Sequence, residues 1–135
     1  MTPFSAGITF ENPGDLTVTI NGNSCSYVED PDTGLVFTQV YIAFTPHFTN
    51  AEGQVRVTGF PRAAFNGNYS LPITIAQSFD FPPNMTHLCA SIDSGHDYAT
   101  IVASGSHYAA ANVTANELVS GGNYFLVFSG HYAYQ

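Results

Sequence analysis

The sequence predicts an all-β fold: an antiparallel β-sandwich, jelly-roll-like, with about eight strands in one domain spanning residues 1–135. Three observations carry this. Apolar residues recur with a period of two from end to end, while helical periodicity is nearly absent. Strand-favouring aromatic residues are abundant, with 11 Phe and 8 Tyr in 135 residues. Turn signals built from Gly, Pro, Asn and Asp divide the chain at roughly 8–12-residue intervals, the spacing of a sandwich or barrel.

The elements follow in order. Leu16, Val18 and Ile20 alternate with Thr17 and Thr19, and this strand is expected to stop at Asn21-Gly22-Asn23. Cys25 to Glu29 and Leu35 to Phe44 read as a hairpin around Asp30-Pro31-Asp32-Thr33-Gly34, where Pro presets φ and Gly permits positive φ. Gln54 to Thr58 alternates, with Val55 and Val57 inward and Arg56 outward. Gly59 to Leu71 reads as a long loop, and strands are expected at Ile73–Ala76, His87–Ile92, Tyr98–Ala103 and Tyr108–Val113. Thr114 and Glu117 have the spacing of a capping box on a single helical turn. Gly121-Gly122-Asn123 then launches a last strand, Tyr124 to Tyr132.

Charge narrows the partners. The formal net charge is −8 and the only cations are Arg56 and Arg62, so the basic footprint that nucleic acid requires is missing. No segment has the ~18 apolar residues of a membrane span. The Met1-Thr2-Pro3-Phe4-Ser5 start lacks the basic and apolar regions of a signal peptide. Three sequons, at Asn68, Asn84 and Asn112, are read as chance in an Asn- and Thr-rich chain. Cys25 and Cys89 are read as free thiols. The immunoglobulin alternative fails because there is no Trp and His87 stands where the tyrosine corner would be.

Two strands break the inside/outside alternation. In Val36–Phe44 the even positions form one apolar face, yet Phe37, Tyr41 and Ala43 make the other apolar too; Tyr124–Phe128 is apolar on both. Sandwich sheets normally have one dry face. Such strands require a second cover, either a folded-back loop such as Gly59–Leu71 or another subunit. The expected subunit contact comprises Phe37, Tyr41, Ala43, Phe125 and Val127.

No constellation predicts catalysis or a cofactor. The five histidines (His47, His87, His96, His107, His131) match no ligand spacing, and no metal is expected. Asp93-Ser94-Gly95-His96-Asp97 and Glu29-Asp30-Pro31-Asp32 are acidic but have ordinary turn composition. The Gly-x-Ser-x-Gly elbow is absent, and Ser106 and His107 point to opposite faces if that segment is extended. Tyr69, Phe79, Phe81, Tyr98, Tyr108 and Tyr134 could stack on sugars, although core or interface packing is expected for most.

One pattern extends over roughly Val36 to Tyr132. A long apolar strand precedes Gly53-Gln54-Val55-Arg56-Val57-Thr58-Gly59-Phe60-Pro61, and the chain closes on Ser129-Gly130-His131-Tyr132. This resembles the small jelly-roll-like β-domains of tailed-bacteriophage virion proteins. The motif positions are Gly53, Val55, Val57, Gly59, Phe60, Pro61, Ser129, Gly130 and Tyr132. The resemblance implies a homotrimer, found as a fibre or needle tip or as a capsid knob. With few residues before the first clear strand and no shaft, the chain is expected to be a capsid decoration or cement protein. Residues 1–14 would then be available as an N-terminal docking segment. The implied partners are its own copies and the major capsid protein, and its place the virion, assembled in the host cytoplasm. The alternative is a receptor-binding tip recognising host-surface glycan.

Overall fold

A computed structural model describes residues 1–135, the side chain of Tyr108 excepted. The strands are β1 (Thr2–Phe4), β2 (Gly7–Asn12), β3 (Thr17–Asn23), β4 (Cys25–Asp30), β5 (Leu35–His47) and β6 (Glu52–Thr58). Then come β7 (Tyr69–Gln77), β8 (His87–Ile92), β9 (Ala99–Gly105), β10 (Tyr108–Asn112) and β11 (Tyr124–Ala133). The expected helical turn is a 3₁₀ turn at Ala115–Glu117, closed by the Thr114/Glu117 capping box. All named strands pair antiparallel in the order β1-β4-β5-β11-β7-β8-β9-β6-β2, with β3 beside β5 and β10 beside β9. The fold is therefore all-β, a curled antiparallel sheet of the sandwich class.

Two layers result because strands switch sheets at both corners. The first layer (sheet I) holds β1, β3, β4, β5, β11 and the second half of β7; the other (sheet II) holds β2, β6, β8, β9, β10 and the first half of β7. At one corner, Tyr69–Pro72 pair with β8 and Ile73–Gln77 pair with β11. Pro72, which has no N–H to give to a ladder, stands at the changeover. At the other corner β1 pairs with β4 and β2 with β6, the chain crossing at Ser5-Ala6. Asn23 holds that crossing: its Nδ2 donates to the Ala6 carbonyl at 2.8 Å and its Oδ1 accepts from the Ala6 N–H at 3.4 Å.

Four differences from the sequence expectation follow from strand pairing or turn geometry. Residues 2–4 and 7–12 are strands, so the segment expected as a docking arm is built into both sheets. Asn21-Gly22-Asn23 does not end β3 but forms a bulge, the register against β5 shifting between Ile20 and Gly22. Strand β7 begins at Tyr69, four residues before the expected Ile73, because Ser70 to Pro72 pair with β8. Ser106-His107 is the turn between β9 and β10, with His107 at φ 67°, and is not extended.

The core lies between the layers. Sheet I contributes Val36, Val40, Ile42, Phe44, Leu126, Phe128 and Tyr132, all fully buried; Val55, Val57, Ile92 and Ile101 answer from sheet II. Phe60 closes one end, its ring centroid 5.9 Å from that of Phe4 and 6.3 Å from those of Phe128 and Tyr132. Gly59 reaches this plug at φ +94°, and any Cβ there would strike the Ser5 carbonyl. At Gly130 a Cβ would lie 2.7 Å from Leu71 Cγ, so this glycine lets β11 approach β7 at the corner. Tyr132 donates its hydroxyl to the Arg62 carbonyl at 2.8 Å and so anchors the loop after Phe60. Burial pushes its pKa up to about 12.

The opposite end is tied by Asp15. Its carboxylate accepts from the Thr49 hydroxyl and from the Thr49 and Asn50 N–H groups, while Asn50 Oδ1 accepts from the Asp15 N–H. The Thr49 hydroxyl bond and these N–H donors together hold the carboxyl at about 2.

Candidate functional site

The outer face of sheet I departs furthest from what a solvated sheet should display. Along β5 the even residues from Val36 to Phe44 are buried, and the odd residues point away from the core. Register carries the odd set from Phe37 to Thr45 onto four neighbouring strands, β3, β4, β7 and β11. Val28, Phe37 and His131 form one cross-strand row; Ser26, Gln39 and Ser129 form the next. Tyr41, Val127 and Ile75 follow, then Gly22, Ala43, Phe125 and Gln77. Asn21, Thr45 and Asn123 close the face, joined by hydrogen bonds of 2.9 and 2.7 Å through the Thr45 hydroxyl.

None of these rows contains a charged Asp, Glu, Lys or Arg, in a chain of net charge −8. Large apolar groups stand open on it: Phe37 is 41% exposed, Tyr41 43%, Val28 45% and Ile75 47%. The rings pack on one another, Tyr41 edge-on to Phe125 at 4.7 Å and Phe37 tilted against His131 at 5.5 Å. The five residues expected at a subunit contact, Phe37, Tyr41, Ala43, Phe125 and Val127, thus lie together on this face. The loop cover considered from sequence is not used. Residues 59–68 fold across the end of the sandwich, where Ala64 bridges to Ser94 and the Phe65 N–H donates to the Ala133 carbonyl.

Sequence reading missed Val28, Ile75 and His131. Val28 and Ile75 sit in strands whose own pattern is unremarkable, and His131 lies beyond the doubly apolar part of β11; register against β5 and β11 brings all three onto the patch.

The other sequence-flagged groups are dispersed. Tyr69 donates to the Phe65 carbonyl, and Phe79 is buried against Tyr124 at 5.0 Å. Phe81 is exposed at the surface. Tyr98 is stacked between the Arg56 guanidinium and His96, both at 4.6 Å, and Tyr134 lies under Arg62 at 5.0 Å. The side chain of Tyr108 lies outside the described residues. Cys25 and Cys89 are free, with the Cys25 thiol pushed up by burial.

The acidic turns have structural partners. Asp93 accepts from Ser91, Asp30 from the Asp32 N–H, and Glu29 pairs with Arg62 through two bonds of 2.8 and 3.2 Å. That pair draws the Glu29 carboxyl below its usual range. Among the described residues no three His, Cys, Asp or Glu side chains gather as metal ligands. Among the described residues no helix is long and apolar enough to cross a membrane.

Compared with known proteins, the chain matches no family model, no curated sequence and no solved structure.

Proposed function

We propose that this chain is a non-enzymatic structural protein of a tailed-phage virion, a homotrimer that decorates and clamps the capsid. One observation carries the reading: from the Phe37 row to the Thr45 row the outer face of sheet I is rich in exposed apolar and aromatic groups and free of charged side chains, Asp30 standing opposite Leu35 beyond that stretch. Interface centres have this composition, with aromatic residues enriched and Lys, Glu and Asp depleted. Copies that each carry −8 repel one another, and a charge-free face is where they can meet at least electrostatic cost. Homo-oligomers with closed symmetry are the usual outcome of such self-association. The virion assignment comes from the resemblance of Gly53–Pro61 and Ser129–Tyr132 to phage β-domains. Protomers would meet on the face that carries Phe37, Tyr41, Ala43, Phe125 and Val127, centred on its Val28–Phe37–His131 end, leaving the polar loops for the major capsid protein. Clamping adds interface that must be broken before capsomers separate, which stabilises the shell by linkage.

The test is binding to empty, expanded phage capsids. A cement protein saturates defined lattice sites and raises the capsid melting temperature. Failure to do either would remove the decorating role. Binding to host cells, with block of infection in excess, would move the protein to a tail tip.

A further inference from the structure

We infer that the Asn123 end of the sheet I face is a binding pocket for a neutral saccharide. A hollow of about 540 Å³ opens there, lined by Asn21, Tyr41, Ala43, Gln77, Asn123 and Phe125. Its volume falls within the ~300–1,000 Å³ of small-molecule sites.

The chemistry of the lining is specific. Tyr41 and Phe125 meet edge-to-face at 4.7 Å, so the two rings present perpendicular surfaces to the hollow. The face of an aromatic ring is electron-rich and accepts the C–H face of a pyranose. Around the rings stand three amides, each able to donate and accept, which suits vicinal hydroxyls that do both. Their capacity is only partly used. Asn21 spends its Nδ2 on Thr45, and Asn123 its Oδ1, leaving one polar atom on each. Among the described residues the Gln77 amide has no hydrogen-bond partner. No lining residue is charged, so nothing there would offset burial of a carboxylate or sulfate in a −8 protein.

The inference rests on the trimer reading in one respect only: the protomer contact must leave this end of the face open. Phe37 and Ala43 are six residues apart on β5, about 20 Å, so both functions fit on one face. The contact would then centre on the Val28–Phe37–His131 end, with Tyr41 at the boundary.

The experiment is saturation-transfer NMR on the purified full chain with uncharged gluco-, galacto- and manno-configured trisaccharides, and with a sialylated trisaccharide for comparison. At least one neutral probe should bind, and the sialylated one at least tenfold more weakly. Gln77→Ala and Asn123→Ala should each weaken binding about tenfold, and Phe125→Ala more, with the oligomeric mass unchanged for the two amide variants. Phe37→Asp should dissociate the assembly and leave binding intact. No binding by any neutral probe, equal binding of the sialylated one, or binding confined to the Phe37→Asp variant would overturn the site. A wild-type chain that is monomeric yet binds sugar would keep the site and discard the trimer.

Discussion

The outer faces of the two sheets follow opposite rules. On sheet II a single row runs Thr9, Arg56, Thr100, Ser91 and Ser70: hydroxyls and one guanidinium, with Tyr98 laid over the arginine. On sheet I two rows run Val28, Phe37 and His131, and Tyr41, Val127 and Ile75, with Ser26, Gln39 and Ser129 between them. Both sheets bury the same kind of inner face, so core formation cannot explain the difference. The alternation that makes a half-wet strand is kept where water is the final neighbour. It is given up on one side only, the side on which the proposed protomer contact lies.

The largest expected effect contrasts the two sides of one strand. Phe128 is fully buried on β11 and Phe125 lies on its outer side. Phe128→Ala should cost about 3–5 kcal/mol of unfolding free energy by urea titration, as large-to-small core changes do. Phe125→Ala should cost well under ~2 kcal/mol per chain in a dissociated background. Equal losses would mean that β11 is buried on both sides within one chain.

Next comes the contrast between sheets. Phe37→Asp should shift self-association by more than about 100-fold, through lost apolar contact and a charge buried in each copy. Ser91→Asp, on sheet II, should leave sedimentation unchanged. Loss of assembly in Ser91→Asp would assign the contact to the other sheet.

A smaller effect tests the inner side through pH. Burial raises the Tyr132 phenol from 10.0 to about 12 in the folded chain. The neutral form is favoured by folding, so this contribution is complete below pH 10 and is lost as pH rises from there through about 12. Tyr132→Phe should flatten the alkaline fall in melting temperature, at a cost of about 1 kcal/mol at neutral pH for the lost bond to Arg62.

The smallest concerns Thr38, buried on the inner face of β5 with no partner for its hydroxyl among the described residues. Thr38→Val should raise stability by about 1 kcal/mol in thermal unfolding, since it removes an unpaired polar group without changing shape.

Much of this contrast was legible in the sequence. The parity of Val36–Phe44 separates inner from outer residues without any structure, and it marked Phe37, Tyr41 and Ala43 as surplus to one core. The capping box at Thr114 was readable because its signal is local. Register was not. Gln77 reaches the pocket only because β7 pairs with β11 after Pro72, a long-range choice that no short pattern encodes. Likewise Asn21-Gly22-Asn23 carries turn chemistry yet forms a bulge, because β5 is long enough to pair with both β3 and β4. The N-terminal strands escaped notice for the same reason: Thr2-Pro3-Phe4 is a strand only by virtue of the edge of β4 that it covers.

The central claim is that the Phe37 end of the outer face of sheet I is covered by other copies of this chain. Sedimentation equilibrium of the wild-type protein at micromolar concentration tests it most directly. The expected species has three times the 14.5 kDa chain mass and reverts to one chain in Phe37→Asp. A wild-type protein that sediments as a single chain throughout that range would contradict it.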